Sequence, residues 1–354
     1  MRIPLISVCI PAYNRAAVLP SLLDSILNQD FDDFDIVIAE DASPERQAIA
    51  AKVTEYQQTY GNRVKYHANP QTLGYDGNLR RLVELATGDY VLFMGNDDLL
   101  APGALRAVAA AVQAHPTLGV VLRSYSSFVS DPEIPVQVFR YFGEDRVFPP
   151  GPDTVVTFFR RSVFISGMVF KRSSAAACST ERFDGTLLYQ QHLVGRILAK
   201  ESGVYLNSIL TYHRLGGVPD FGASAAEQGL FVPKQQTPDS SVNFMRGMIA
   251  IAKSLDEARR PKVSHLILRD IGNYSYPILS IQSDRSLGIF LSYIKQLMNL
   301  GLWRAPLFYM YALGLIVFRR RNCDHFIARI KATLGRAPLL GRVYAGNSLN
   351  GRSD

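Results

Sequence analysis

The chain has 354 residues, of which 47% are hydrophobic and 19% are charged, and its formal net charge is +7. This composition is that of a globular protein and allows one large core with a smaller appended unit. The three cysteines, Cys9, Cys178 and Cys323, share no close spacing. Their positions exclude a zinc-finger pattern and a disulfide framework, and they favour a reducing compartment.

The first hundred residues alternate between strand and helix patterns. The strand pattern recurs at 5–10, 35–39, 64–67 and 90–94, and the helix pattern at 17–28, 45–60 and 79–86. This alternation predicts an α/β fold with a mainly parallel, doubly wound sheet flanked by helices. Polar loops at 11–15, 40–43 and 95–98 end three of the strands, and such ends gather into one cleft at the edge of an open sheet.

Two adjacent carboxylates, Asp97 and Asp98, follow the fourth strand directly. A carboxylate pair at this place suits a hard divalent cation, and such a cation usually carries a phosphate group. The alternative is a plain turn in which Asp98 caps a helix. The three polar loops at one sheet edge favour the functional interpretation.

The middle of the chain continues the α/β pattern with longer irregular stretches. A helix is predicted at 101–114, followed by strands at 119–123, 164–171 and 203–210 and a helix at 187–200. Gly167 within a strand pattern indicates a bulge or the close approach of another group. Residues 131–153 are irregular, and residues 214–241 are rich in Gly, Ser and Pro, which is typical of a mobile loop.

From residue 242 the pattern is helical only, with segments at 243–258, 261–272, 286–300, 303–318 and 322–334. The apolar run 302–318 contains Arg304 and Pro306 and is short for a membrane span. It predicts either a buried helix or one that lies in a membrane interface, anchored by Trp303 and the cluster Arg319–Arg321. A transmembrane helix is a third alternative. No signal-peptide pattern precedes the first strand.

The basic excess is concentrated at the C-terminal end of the sequence. This end suits either an anionic membrane surface or a solvated tail. Eight cations stand there against Asp324 and Asp354, namely Arg319, Arg320, Arg321, Arg329, Lys331, Arg336, Arg342 and Arg352.

Four motifs in order resemble the family 2 glycosyltransferases of the GT-A fold. Ser7–Arg15 resembles their first strand and loop, and Glu40-Asp41-Ala42-Ser43 resembles the motif after their second strand. Asn69–Asn78 with Ala86–Tyr90 is similar to their Asn-x-Gly…Asn…Ala-x-Gly-Asp-Tyr run, and Phe93–Leu100 to their metal-binding Asp-x-Asp element. The resemblance is strong over 5–105 and weaker to about 213.

The resemblance implies a Rossmann-like GT-A domain over 1–240, with a nucleotide-sugar-binding half at 1–105 and an acceptor half at 106–240. A helical, membrane-associating extension follows at 241–354. The implied reaction is inverting transfer of a sugar from a nucleotide-diphosphate-sugar donor. Asp97 and Asp98 would hold Mg²⁺ or Mn²⁺ on the diphosphate, whose growing negative charge the metal neutralises. The implied donor-binding residues are Pro11, Ala12, Tyr13, Arg15, Asp41, Asn78, Arg81, Asn96 and Asp97.

Two departures from the family pattern concern the chemistry. Gly95 replaces the first aspartate of the Asp-x-Asp element, so metal binding depends on Asp97 and Asp98. The acidic pair that begins the acceptor helix of many relatives is replaced by Tyr189-Gln190. An inverting transfer needs a group that accepts the acceptor's proton. His192 and Asp184, which lie near this position in the sequence, are therefore the predicted bases, and a purely structural role for His192 stays open.

In character the sequence resembles the bacterial O-antigen and capsule transferases, such as abequosyltransferase-like enzymes. This resemblance implies a lipid-linked saccharide acceptor and a role in lipopolysaccharide synthesis. It also implies a peripheral location on the inner face of the cytoplasmic membrane, with no nucleic acid as partner. A nucleotidyltransferase or a nicotinamide dehydrogenase would need glycines in the first loop, and 11–15 has none. The remaining alternative is a non-catalytic nucleotide-sugar-binding subunit of a polysaccharide assembly complex.

Overall fold

The first half of the sheet consists of four parallel strands joined by helices, as the alternating pattern predicts. We describe a computed structural model over residues 3–217, 219–257 and 262–334. Strands β1 (Ile6–Ala12), β2 (Phe34–Glu40), β3 (Val64–Ala68) and β4 (Tyr90–Phe93) pair in the order β3-β2-β1-β4. The helices between them are α1 (Leu19–Leu27), α2 (Arg46–Tyr60) and α3 (Gly74–Leu85).

The second half extends the same sheet with strands of both directions. The strands are β5 (Leu99–Leu100), β6 (Leu118–Phe128), β7 (Gln137–Phe139), β8 (Arg146–Phe148), β9 (Met168–Lys171) and β10 (Ser202–Arg214). Strand β9 is antiparallel to both β4 and β6 and joins the two halves, while β6 and β10 form a long parallel ladder. The longest ladders are therefore parallel, and the sheet continues through β9 without a break.

Helices cover both faces of the sheet and then form the C-terminal part. Around the second half lie α4 (Ala104–Ala114), α5 (Pro152–Phe159), α6 (Arg172–Ala177) and α7 (Tyr189–Ile197). The C-terminal helices are α8 (Pro238–Ser254), α9 (Ser264–Asn273), α10 (Tyr276–Ser280), α11 (Leu287–Asn299) and α12 (Pro306–Leu334). One hydrophobic cluster runs from β1 and α3 through α7 to α12, so the C-terminal helices share a core with the sheet.

The C-terminal helices differ from the predicted segments in their boundaries. The proposed division after residue 240 falls inside α8, which begins at Pro238 after a Thr237 cap whose hydroxyl accepts the Ser240 N–H at 3.0 Å. The predicted helices 303–318 and 322–334 are joined in α12 across a kink at Arg319, whose φ is 60°. Arg336, Arg342, Arg352 and Asp354 lie outside the described residues.

Candidate active site

A cavity of about 400 Å³ opens at the carboxyl ends of β1, β2 and β4, at the edge where the sequence predicts the cleft. Its wall is built from loops of both halves of the sheet and from the segment that follows β10. The lining includes the predicted residues Pro11, Tyr13, Arg15, Asp41, Asn78, Asn96, Asp97 and Asp98.

Asp97 and Asp98 lie side by side in this wall and are held in different ways. Asp97 forms an ion pair with Arg15 from the loop after β1. Burial raises the pKa of Asp97, the neighbouring charge of Asp98 raises it further, and Arg15 opposes both. A buried carboxylate and a partly buried one that repel each other and face one cavity form an arrangement that favours a cation.

Asp98 is bound by residues that the sequence interpretation missed. The Ser166 hydroxyl donates to its Oδ2, and the His213 Nδ1 and the Arg214 backbone N–H lie 3.0 Å from its Oδ1. Burial acts to lower the pKa of His213, but the hydrogen bond to Asp98 and the charges of both aspartates raise it overall. The sequence signal for His213 and Arg214 is weak, because both lie beyond residue 210, where the predicted strand ends. In the structure β10 continues four residues further, to Arg214.

The loop after β1 is shaped by left-handed backbone at two consecutive residues. Asn14 and Arg15 have φ values of 54° and 65°, which non-glycine residues seldom adopt. The Asn96 side-chain amide donates to the carbonyls of Tyr13 and Asn14, at 3.3 and 3.0 Å. The segment after β4 therefore holds this loop in the conformation that brings Arg15 to Asp97.

Asp41 organises the other side of the cavity. Its Oδ1 accepts from the Asn69 side chain at 2.9 Å and from the Leu73 N–H at 2.8 Å, and its Oδ2 accepts from the Gly74 N–H at 2.9 Å. Burial raises the pKa of Asp41, although these hydrogen bonds oppose the effect. Asn78 joins the same network by accepting from Asn69 at 3.0 Å and donating to the Ala39 carbonyl at 2.9 Å.

The cover segment, residues 219–237, forms the outer wall of the cavity. The Asn14 amide donates to Asp220 at 3.0 Å. Glu227 is buried, and its two oxygens accept the N–H groups of Tyr75 at 2.7 Å and Gly222 at 2.8 Å. The stretch that the sequence marks as a loop thus supplies two carboxylates to the cavity.

Four predicted residues are not in the described cavity wall. Ala12 is fully buried within β1, and Arg81 pairs with Glu84 on the surface of α3 at 3.0 Å. His192 is buried on α7 with its Nε2 2.8 Å from the Cys178 carbonyl, and burial lowers its pKa. Asp184 accepts two hydrogen bonds from Arg80.

The start of α7 is held without the acidic pair that the resemblance implies at this position. Tyr189 and Gln190 are fully buried, and the Gln190 amide donates to the Val163 carbonyl at 2.8 Å. The helix N-terminus is capped instead by Asp76 of α3, whose carboxylate accepts the N–H groups of Leu187 and Tyr189, each at 2.8 Å. This cap holds Leu187, at φ 64°, in the cavity wall.

The sequence matches a known family and individual proteins over part of its length. The Glycosyl transferase family 2 profile matches residues 7–167. Abequosyltransferase RfbV of Salmonella typhimurium is 38% identical over 101 residues, which is 28% of this chain and 30% of that protein. GalNAc(5)-diNAcBac-PP-undecaprenol beta-1,3-glucosyltransferase of Campylobacter jejuni is 35% identical over 103 residues, 29% and 32% of the two chains. The chain thus spans about a third of the length of these curated relatives.

Solved structures extend the likeness of fold to nearly the whole chain. S. aureus TarS 1–349 in complex with UDP-GlcNAc has a TM-score of 0.59 at 16% identity, covering 95% of this chain and 93% of that one. A mannosyltransferase of Pyrobaculum calidifontis, in complex with GDP-Man and Mn²⁺, has a TM-score of 0.52 at 17% identity and covers 90% and 87%. The chain therefore carries a family 2 glycosyltransferase domain over residues 7–167, set in a GT-A fold.

Proposed function

We propose that this chain is an inverting glycosyltransferase that moves a sugar from a nucleotide-diphosphate-sugar to a saccharide acceptor. The observation that carries the proposal is the pair Asp97–Asp98, which faces one cavity together with Arg15, Tyr13 and Asp41. A nucleoside fits between the Tyr13 and Asp41 walls, and the diphosphate fits at the aspartate pair. The complexes with UDP-GlcNAc and GDP-Man support this class of ligand through the shared fold.

The donor set of the aspartate pair suits Mg²⁺ or Mn²⁺ that takes its remaining ligands from a diphosphate and water. Asp97 and Asp98 would hold the ion, although among the described residues no three His, Cys, Asp or Glu side chains form a complete metal site. The bound ion would neutralise the charge that develops on the departing diphosphate. Arg15 contributes a second positive charge at the same place, since it already pairs with Asp97.

The transfer also needs a base within the cavity, and we propose Asp220. His192 and Asp184 lie outside the described cavity wall, and Asp184 is bound on both oxygens by Arg80. Asp41 and Glu227 line the cavity, but both oxygens of each accept backbone N–H groups or an amide. Asp220 has one oxygen bound by Asn14, while the other lies 3.9 Å from the Lys234 ammonium group.

A lipid-linked acceptor at the inner face of the cytoplasmic membrane is part of the proposal. In the parts of the chain that the structure describes, none of the helices has the length and apolar character that a bilayer crossing requires. Helix α12 instead buries Phe308 and Leu315 against the protein and exposes Leu313, Val317 and Phe318, with Arg319–Arg321 immediately after them. A large exposed apolar face beside clustered cations suits the surface of an anionic bilayer.

The biological setting that we propose is the synthesis of a surface polysaccharide such as an O-antigen. The support is the likeness of 101 and 103 residues of the chain to the abequosyltransferase and to the GalNAc(5)-diNAcBac-PP-undecaprenol beta-1,3-glucosyltransferase. The first experiment is a thermal-shift screen of nucleoside diphosphates and their sugars with and without Mn²⁺. A cognate ligand at 100 times its dissociation constant should stabilise the protein by about 2.7 kcal/mol. No stabilisation by any of them would refute the proposed donor site.

A second candidate function is a non-catalytic nucleotide-sugar-binding subunit of an assembly complex. The observation that favours it is the absence of a carboxylate at the buried Tyr189 and Gln190, where many relatives carry their acidic pair. Donor hydrolysis by the purified protein distinguishes the two functions, because a binding subunit would retain the thermal shift and release no sugar.

A further inference from the structure

Arg123 is a buried cation beside the aspartate pair, and no step of the proposed transfer uses it. It lies on β6 and has no exposed surface, and its guanidinium carbon lies 5.0 Å from the ring centres of both Tyr125 and Phe164. Burial lowers its pKa, whereas Tyr141, Tyr125 and Asp98 act to raise it. A buried charge is costly unless its donors are satisfied, so the position needs an explanation.

The guanidinium group donates to the main chain of one short segment and, through its Nη1, to the Met168 sulfur at 3.7 Å. Its Nε donates to the Ser166 carbonyl at 2.7 Å and its Nη2 donates to the Phe164 carbonyl at 2.8 Å. Gly167 follows at φ 80°, and a Cβ on it would lie 3.2 Å from the Arg123 Nε and 2.7 Å from the Thr211 Cγ2. The sequence signal at Gly167 thus marks the close approach of a buried arginine.

This segment carries the serine that holds Asp98. The Ser166 hydroxyl donates to the Asp98 Oδ2 and accepts the Gly95 N–H at 2.9 Å. One residue therefore links the guanidinium group to the carboxylate. The other oxygen of Asp98 is held separately by His213 and Arg214.

We propose that Arg123 is a positioning residue for Asp98: its two hydrogen bonds fix Phe164 and Ser166 so that the serine hydroxyl holds the carboxylate toward the cavity. The inference rests on the proposed function in one respect only, which is the part that Asp98 would take in binding the donor. Arg123 itself is not among the residues that line the described cavity.

The direct test compares crystal structures of the wild type and Arg123→Lys. Lysine keeps the positive charge, but its single ammonium group cannot donate to both carbonyls in the same fork geometry. We expect the Ser166–Asp98 hydrogen bond to be broken or lengthened in the variant. An unchanged bond would overturn the proposal. This comparison needs no ligand, so it decides the role of Arg123 even if no nucleotide binds.

The second test measures the Mn²⁺-dependent affinity for the nucleoside diphosphate that stabilises the wild type most. Arg123→Lys and Ser166→Ala should each weaken it about tenfold, as expected for one lost hydrogen bond to a charged group. The double variant should lose no more affinity than either single variant, because both substitutions act on the same Asp98 carboxylate. The matched control is Arg172→Lys, since Arg172 donates to the Gly88 carbonyl at 2.6 Å near the opposite end of β4.

Additive losses in the double variant, or wild-type affinity in Arg123→Lys, would contradict the positioning role. The melting temperature of each variant separates a local change from general destabilisation. If the wild type itself binds no nucleoside diphosphate, the proposed function fails, and the crystallographic comparison alone decides the role of Arg123.

Discussion

Arg80 and Asp184 form a two-point ion pair, with Nη1 2.6 Å from Oδ1 and Nη2 2.9 Å from Oδ2. Arg80 also donates to the Thr180 carbonyl at 3.1 Å, so α3 holds the turn before α7. Asp76, one helical turn earlier on α3, holds the start of α7 itself. Arg80 and Asp76 together fix the end of the cavity that is next to α7. Arg80 also binds both oxygens of Asp184.

Substitutions at the three base candidates separate them. Asp220→Asn should lower kcat by at least about a hundredfold, the usual contribution of a general base. His192→Ala should keep kcat near the wild-type value, and Asp184→Asn should lower kcat much less than Asp220→Asn, because neither side chain lines the cavity. The measurement is a pH–rate profile of each variant, with donor affinity determined in parallel. Loss of the acidic limb in His192→Ala alone would instead identify His192 as the base.

Loss of either aspartate should affect the metal-dependent reaction much more than the fold. Asp97→Asn or Asp98→Asn should lower Mn²⁺-dependent transfer by about a hundredfold or more, because the charge on the leaving diphosphate is then poorly neutralised. Transfer rates across a Mn²⁺ titration, together with melting temperatures, test this. Glu84→Gln on the exposed face of α3 is the matched control. Full activity of both aspartate variants in EDTA would exclude the metal role.

Asp76 should make stability depend on pH. Burial raises its pKa to about 7, well above the value of about 3.9 in an unfolded chain. The native state therefore binds the proton more tightly, so this residue's contribution to the free energy of unfolding falls from about pH 4 to pH 7 and is level above that. Denaturant unfolding of wild type and Asp76→Asn at pH 5, 6, 7 and 8 tests the sign. The free energy of unfolding of Asp76→Asn should increase relative to that of the wild type as the pH rises to 7.

The exposed face of α12 should decide membrane binding. Leu313→Ser or Phe318→Ser should weaken binding to vesicles of anionic phospholipid about tenfold each, as expected for a large apolar side chain that is no longer buried. The control is Val136→Ser, because Val136 is equally exposed (62%) but lies beside β7. Vesicle co-sedimentation provides the measurement. Equal binding by all variants would show that this face does not contact lipid.

The start of α3 shows where local patterns stop predicting the fold. The pattern predicts a helix from residue 79, and residues 69–78 read as a turn-rich loop. In the structure α3 begins at Gly74 because Asp41 and Glu227 accept the N–H groups of Leu73, Gly74 and Tyr75. Helix caps supplied by distant residues leave no mark in the local sequence. Strands β1–β4, in contrast, were predicted within a residue or two, because nearly continuous apolar runs mark buried parallel strands.

The candidate site was predictable on one side only. Pro11, Tyr13, Arg15, Asp41 and the aspartate pair follow predicted strands, so topology alone brings them to one edge. Ser166, His213 and Glu227 enter from the second half of the sheet and the cover segment. Their approach depends on β9 running antiparallel to β4 and on a loop that has no periodicity. The sequence of a loop does not say what it covers.

The Glu227 contact also affects the order of biosynthesis. Tyr75 and Glu227 are 152 residues apart, so one N–H in the first turn of α3 gains its acceptor only after Glu227 has left the ribosome. Contacts of such long sequence separation form late, because a long loop must close first. A nascent chain that carries all four strands β1–β4 therefore still lacks the finished cavity. The proposed donor pocket is therefore complete only after the chain has been made through Glu227.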